Sequence, residues 1–167
     1  MRFRIWFLFF CIPFPTKAYW QQYVNTNIQV TLDDQNHILR GFEKMTYTNN
    51  SPDTLRYLYI HLWPNAYKND RTQFSEQQVN LGKTDFYYSA EHDKGYIDSL
   101  SFEINGEAVD FYYALGNLDI AKIDLTRPVL PGESINVETP FRVKIPKVLS
   151  RLGHSEQAYF ISQWFPK

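Results

Sequence analysis

Six residues at alternate positions, Ile135, Val137, Thr139, Phe141, Val143 and Ile145, leave this chain little choice of fold, because Asn136, Glu138, Arg142 and Lys144 fill the places between them. A period of two puts one set on a buried face and the other in water, which is the pattern of a long half-buried strand. Pro140 inside that run lacks a ladder donor, so the sequence predicts an edge position or a bulge there.

The same period opens the chain. Val24, Thr26, Ile28, Val30 and Leu32 alternate with polar residues, Asp33-Asp34-Gln35-Asn36 has turn chemistry, and Leu39, Gly41, Met45 and Tyr47 share parity on the return. Residues 23–48 therefore read as a long antiparallel hairpin. Gly41 marks a bulge or a close approach of backbone. A second hairpin is signalled by Asn105-Gly106, the dipeptide that best tolerates positive φ at both turn positions. Leu100, Phe102 and Ile104 alternate towards it, and Val109, Phe111 and Tyr113 alternate away. A shorter strand over 118–125, a turn at Pro131-Gly132 and a strand over 158–164 complete the β elements. Residues 65–94 are polar, with weak helical character over 72–79, and read as a functional or packed excursion. No repeat, low-complexity stretch or second domain is evident. Residues 19–167 read as a single all-β domain.

The first eighteen residues stand apart from the fold. Arg2 and Arg4 precede an apolar run interrupted only by Pro13, and Thr16-Lys17-Ala18 ends on a small residue, as a secretory cleavage site requires. The apolar run is roughly half the length of a membrane-spanning helix, which needs about 20 residues. Residues 1–18 are thus a signal peptide, and the expected location is secreted or periplasmic. Cleavage removes Cys11, the only cysteine, so no disulfide or thiolate metal site is available afterwards. It also removes three of the 17 basic side chains against 18 acidic ones, leaving an acidic chain. Nucleic acid is a poor partner for such a surface.

Residue by residue, chemistry is sparse. The four histidines, His37, His61, His92 and His154, are far apart in sequence and none has a ligand-spaced partner. His37 and His92 read as solvated, His61 as a buried imidazole with a hydrogen-bond partner, and His154 as a loop histidine that, with Arg151, could line a domain junction. There is no nucleophile elbow and no Gly-rich phosphate loop. No catalytic and no metal residue is assigned. The aromatic content, 17%, permits a stacking platform of Tyr57, Tyr59, Trp63, Tyr67, Tyr87 and Tyr88, although aromatics at period two more often pack across strands. Asn49-Asn50-Ser51 fits a glycosylation acceptor and also a turn.

Residues 47–67, YTNNSPDTLRYLYIHLWPNAY, read as strand, turn, strand and aromatic knot. Their wording resembles the "tyTNnSpDtL…hlWPNAY" run of the amino-terminal β-domain of aminopeptidase N-like zinc metallopeptidases, in the form common among secreted bacterial members. The similarity extends to LDDQNHILRGFEKMTYTNNSPDTL, GYIDSLSFEINGE and RVKIPKVLSRLGHSEQAYFISQWFPK. It implies a saddle-shaped antiparallel sheet with a small β-sandwich, docked on a thermolysin-like catalytic domain and forming one wall of the peptide-substrate cleft. The zinc-binding His-Glu-x-x-His of the family is not in this chain, so zinc is expected in an absent catalytic domain and no cofactor in this one. In the family a Gln or Glu on the last strand of this domain binds the free amine of the substrate. Gln163 in Ser162-Gln163-Trp164-Phe165 matches the first glutamine of that motif, but Phe165 stands where the amine-binding residue would be.

The expected function is that of a non-catalytic front domain with two partners, a catalytic domain and a peptide substrate. It contacts no nucleic acid and has no membrane span. The end at Phe165-Pro166-Lys167, inside a segment that reads as packed, carries the expectation of a truncated gene or partial reading frame. The alternative is a free-standing secreted β-sandwich module that binds glycan or protein.

Overall fold

The computed structural model describes residues 20–114, 116–147 and 150–167; the signal peptide read at 1–18 lies outside them. The described chain is all-β and antiparallel. Strands β1 (Tyr23–Asp33) and β2 (Ile38–Thr48) form the first hairpin, followed by β3 (Leu55–His61), a 3-10 turn (Trp63–Tyr67), helix α1 (Gln73–Asn80) and a second 3-10 turn (Glu91–Asp93). Then come β4 (Tyr96–Asp98), β5 (Glu103–Ile104), β6 (Glu107–Ala108), β7 (Phe111–Tyr113), β8 (Ile120–Val129), β9 (Ser134–Lys144), β10 (Leu152–Ser155) and β11 (Ala158–Ile161). The larger sheet runs β1-β2-β9-β5-β6, with β4 also paired to β9; the smaller runs β3-β8-β7; β10 and β11 pair with each other.

The five alternating residues of β9, and Ile145 just past its end, are all buried, the least covered at 4% exposure. Opposite them on β2 stand Leu39, Gly41, Glu43, Met45 and Tyr47, and Leu58, Ile60, Ala121 and Ile123 of the smaller sheet join the same apolar cluster. Both sheets thus turn their apolar parity onto one core, as alternation requires.

Pro140 departs from expectation. It faces Phe42 in an unbroken register with β2, while β4 and β5 pair on the other side, so β9 is central. Even-numbered residues of β9 direct their backbone towards β4 and β5, since the Asn136 carbonyl accepts from the Asn105 N–H, whereas the Ile145 N–H donates to His37 on the β2 side. The missing donor of Pro140 therefore faces the gap after Asp98 and before Glu103, and no ladder bond is lost. Ser101 spans that gap by donating its N–H to Thr139 Oγ1 at 3.1 Å. At Gly41 the register is likewise continuous. The close approach is to a ring: an added Cβ would strike Phe141 and sit 2.9 Å from the Gln29 carbonyl oxygen.

The Asn105-Gly106 turn forms with φ of 52° and 85° at its two central residues, as its type demands. Its return arm is shorter than the alternation implied. It leaves the larger sheet after Ala108, and Phe111–Tyr113 pairs instead with β8. A chain that crosses between sheets keeps its parity but changes partner, which alternation alone does not reveal.

Buried amides hold the knot at 47–67. Asn49 is fully buried and donates Nδ2 to the carbonyls of Asp53 and Val129, at 2.8 and 3.1 Å, while its Oδ1 accepts from the Ser51 N–H and hydroxyl. Its amide nitrogen is engaged on both protons, so the fold leaves no place for a glycan there. Asn65, also fully buried, donates to the Leu118 carbonyl and accepts from the Ile97 N–H. Tyr67 then stacks edge-on with Phe74 and Phe86 at centroid distances of 5.0 and 6.4 Å. This aromatic cluster anchors the excursion at 65–94, in which Thr72 caps α1 by accepting from the Ser75 N–H. No helix among the described residues is long and apolar enough to cross a membrane.

Candidate functional site

A cavity of about 560 Å³ opens between the two sheets. Val24 and Thr26 of β1 and Met45 and Tyr47 of β2 form one wall, β3 from Leu55 to His61 forms the other, and Lys167 closes one end. Its floor is apolar because the even-numbered residues of β1, the odd-numbered residues of β2 and the inward parity of β3, Leu58 and Ile60, meet there. Val24, Val30 and Leu32 of β1 each remain more than 40% exposed, although Leu32 stands opposite buried Leu39 on β2. The smaller sheet does not reach far enough to cover β1.

One edge of β3 is open. The strand pairs with β8 alone, and its other edge meets a partner only at His61, whose N–H donates to the Lys167 carbonyl at 2.5 Å and whose carbonyl accepts from the Lys167 N–H at 3.1 Å. His61 itself is exposed, contrary to the expectation of a buried, bonded imidazole. It is on the outward parity of β3, with Tyr57 and Tyr59, and only the intervening residues face the core.

Gln163 is half-buried and adopts φ of 54° just after β11. It does not line the cavity. The strand expected over 158–164 stops at Ile161 because the chain bends at Gln163, which sends Trp164 onto Phe141 (5.8 Å between centroids) and Phe165 onto Trp164 (5.2 Å). Both rings are half-buried and pack on the core.

Glu43 is a site residue that only the fold brings out. It is 1% exposed, and both carboxylate oxygens are buried without a hydrogen-bond partner. It lies between Ile28 of β1 and Thr139 of β9 on the core face of the sheet, and burial alone pushes its carboxyl up to about 8. The signal was present, since Glu43 shares the parity of Leu39, Gly41, Met45 and Tyr47. At neutral pH this side chain is mainly a protonated acid.

Contrary to the solvated reading of His37, the structure stacks it on the loop histidine His154, with centroids 3.6 Å apart and planes at 15°. His37 Nδ1 shares a 2.7 Å hydrogen bond with the Tyr159 hydroxyl, which also donates to the Asp34 carbonyl. Burial, aided by His37, lowers the pKa of His154. The pair thereby fastens the β10–β11 hairpin to the β1–β2 turn. Arg151 is exposed and apart from it, whereas His92 is solvated with 83% of its side chain exposed.

The six aromatics considered as a platform do not come together. Tyr67 is buried at 1% and belongs to the knot. Tyr57 and Tyr59 do share the outer face of the smaller sheet, where Lys122 lies 4.6 Å from the Tyr57 ring centroid, donates to the Tyr112 hydroxyl and pairs with Asp124. Among the described residues no group of three or more His, Cys, Asp or Glu side chains could hold a metal.

Scanned against models of known protein families, the chain matches none, and a search of curated proteins likewise finds no match.

Proposed function

We propose that this chain is the non-catalytic amino-terminal β-domain of a secreted aminopeptidase N-like zinc metallopeptidase, docking on a catalytic domain and contributing one wall of its peptide-substrate cleft. The observation that carries the reading is the build of residues 47–67. Asn49, Ser51, Asn65 and Tyr67, the least generic letters of the resembled run, are all buried at 2% exposure or less. Their amides and hydroxyl close turns that an all-β domain of that kind needs. In this reading the saddle and small sandwich of the family correspond to the two sheets sharing one core, and Gln163 stands on the substrate side. Phe165, half-buried against Trp164, offers no group to a free amine, so the parent enzyme need not be confined to amino-terminal cleavage. Zinc belongs to the catalytic partner.

Two measurements test this. Reading the DNA beyond the codon for Lys167 should give an in-frame His-Glu-x-x-His, and the purified chain with added zinc should not hydrolyse aminoacyl anilides or peptides. Robust hydrolysis by the chain alone would overturn the proposal. A second reading, a glycan-binding module, is favoured by one observation, the exposed Tyr57, Tyr59 and Tyr112 around Lys122. Saturable glycan binding abolished by Tyr57→Ala would move the conclusion there.

A further inference from the structure

Two imidazoles face each other where the last hairpin meets the first, and we infer that they form an acid-released latch. Protonation of both lifts the tip of the β10–β11 hairpin off the β1–β2 turn while the two sheets stay folded. The inference rests on residues 33–37, 93 and 145–159, and does not depend on the peptidase reading.

The docked pair has room for one positive charge but not for two. The rings of His37 and His154 lie 3.6 Å apart at 15°, so two imidazolium ions would repel each other at van der Waals contact. His37 can carry a charge. The single proton of the Tyr159 hydroxyl goes to the Asp34 carbonyl at 3.2 Å, so His37 Nδ1–H is the donor in the 2.7 Å bond to that hydroxyl, and a second ring proton breaks nothing. His154 is placed differently. Its Nδ1 is buried without a hydrogen-bond partner, which costs little for a neutral acceptor and much for a charged donor. Backbone strain marks the same spot: His37 is held at φ of 55°, an uncommon conformation for a residue other than glycine, and its carbonyl accepts from the Ile145 N–H.

Neighbouring charges do not rescue the second proton. On the β1–β2 turn the Asp33 carboxylate is engaged by Gln35 and Asn36, and Asp34 meets Tyr159 through its carbonyl. The Glu156 backbone and Asp93, itself 3.6 Å from His92, favour a charged His154, and Lys147 opposes it. Burial, aided by His37, outweighs them and holds its pKa below the ordinary 6.5. A group whose pKa is lower docked than free supports docking fully above the free value. That support is lost as pH falls, about tenfold per pH unit until the docked value is passed. The motion is local because Leu152 at the base of the hairpin is fully buried in the core, whereas Ser155, Glu156, Gln157 and Ala158 at its tip are exposed. Besides the stack, the tip is held by the Tyr159 hydroxyl and by the His154 N–H on the Pro146 carbonyl.

Amide hydrogen exchange on the full chain between pH 8 and pH 5, corrected for the intrinsic rate at each pH, tests the latch. Protection of the His154 amide, which undocking frees from Pro146, should fall about tenfold or more, while Val137 and Val143 of β9 keep theirs or gain. The ring signals of His37 and His154 in NMR should titrate as a coupled pair. His154→Phe keeps a stacking face without a proton, so its protection should not change with pH. His37→Asn tolerates the positive φ and removes the facing charge, so the fall should shrink to about threefold. If His154→Phe does not fold, His37→Asn decides alone. A fall of wild-type size in either variant would place the titration on Asp33, Asp34 or Asp93 and overturn the inference. Protection of His154 that does not change with pH in the wild type would also overturn it, as would a loss that reaches Val137 and Val143. None of these results bears on the DNA or zinc tests above.

Discussion

Glu43 makes the stability of this protein depend on pH in an unusual direction. Its carboxyl is held up to about 8 by burial against an ordinary value of 4.5. The folded state therefore keeps a proton that the unfolded chain releases. Stability from that proton is fully present below the unfolded value and is lost as pH rises through the folded one. At about 1.4 kcal/mol per pH unit of separation, the acid-to-alkaline difference is about 5 kcal/mol, of which about 3.5 kcal/mol falls between pH 5 and pH 8. That is a large share of the roughly 5–15 kcal/mol typical of a domain.

Urea unfolding followed by tryptophan fluorescence would read this directly. With a slope near 2 kcal/mol per molar urea, the midpoint should fall by about 1.7 M from pH 5 to pH 8. Glu43→Gln keeps shape and removes the titration, so its midpoint should not fall over that range. His154 acts in the opposite sense. Its pKa is depressed by burial, so its contribution is present above the unfolded value and is lost as pH falls. The glutamine variant should therefore lose stability towards pH 5 while the wild type gains it. A parallel fall of both proteins from pH 5 to pH 8 would refute the assignment to Glu43.

Two further substitutions probe the buried turns and the central strand. Asn49→Ala takes the Nδ2 donor from the carbonyls of Asp53 and Val129, leaving Asp53 only the Ser51 hydroxyl, and should cost about 2–4 kcal/mol, read as a loss of about 1–2 M in urea midpoint. Gly41→Ala forces Phe141 or the Gln29 carbonyl to move and should cost about 1–3 kcal/mol. Combining it with Phe141→Leu should recover part of that loss in the same assay, because the ring is the obstacle.

Much of the fold was legible because alternation is a local property. The six alternating residues over 135–145 are buried as their parity requires, and Asn105-Gly106 turns where its φ preference allows. Partner choice is not local. Nothing in the period of β9 says that it is central, nor that the missing N–H of Pro140 falls in a gap between β4 and β5. The same limit hid the switch of residues 111–113 to β8. Glu43 was legible in parity but was passed over among its apolar neighbours. The stacking of His37 on His154 joins elements more than a hundred residues apart and leaves no trace in either neighbourhood. The open edge of β3 is of the same kind, since an unpaired edge is defined by what the rest of the chain does not do.

That edge and the exposed apolar face of β1 have one geometric cause. The larger sheet presents β1, β2 and β9 side by side with the same apolar parity inward, but the smaller sheet has only three strands and spends its cover on β2 and β9. Covering β1 as well would take a fourth strand beyond β3, in the place the cavity occupies. The cavity is therefore the part of the inter-sheet space that the three strands of the smaller sheet leave uncovered, which is why its lining is apolar although it stands open.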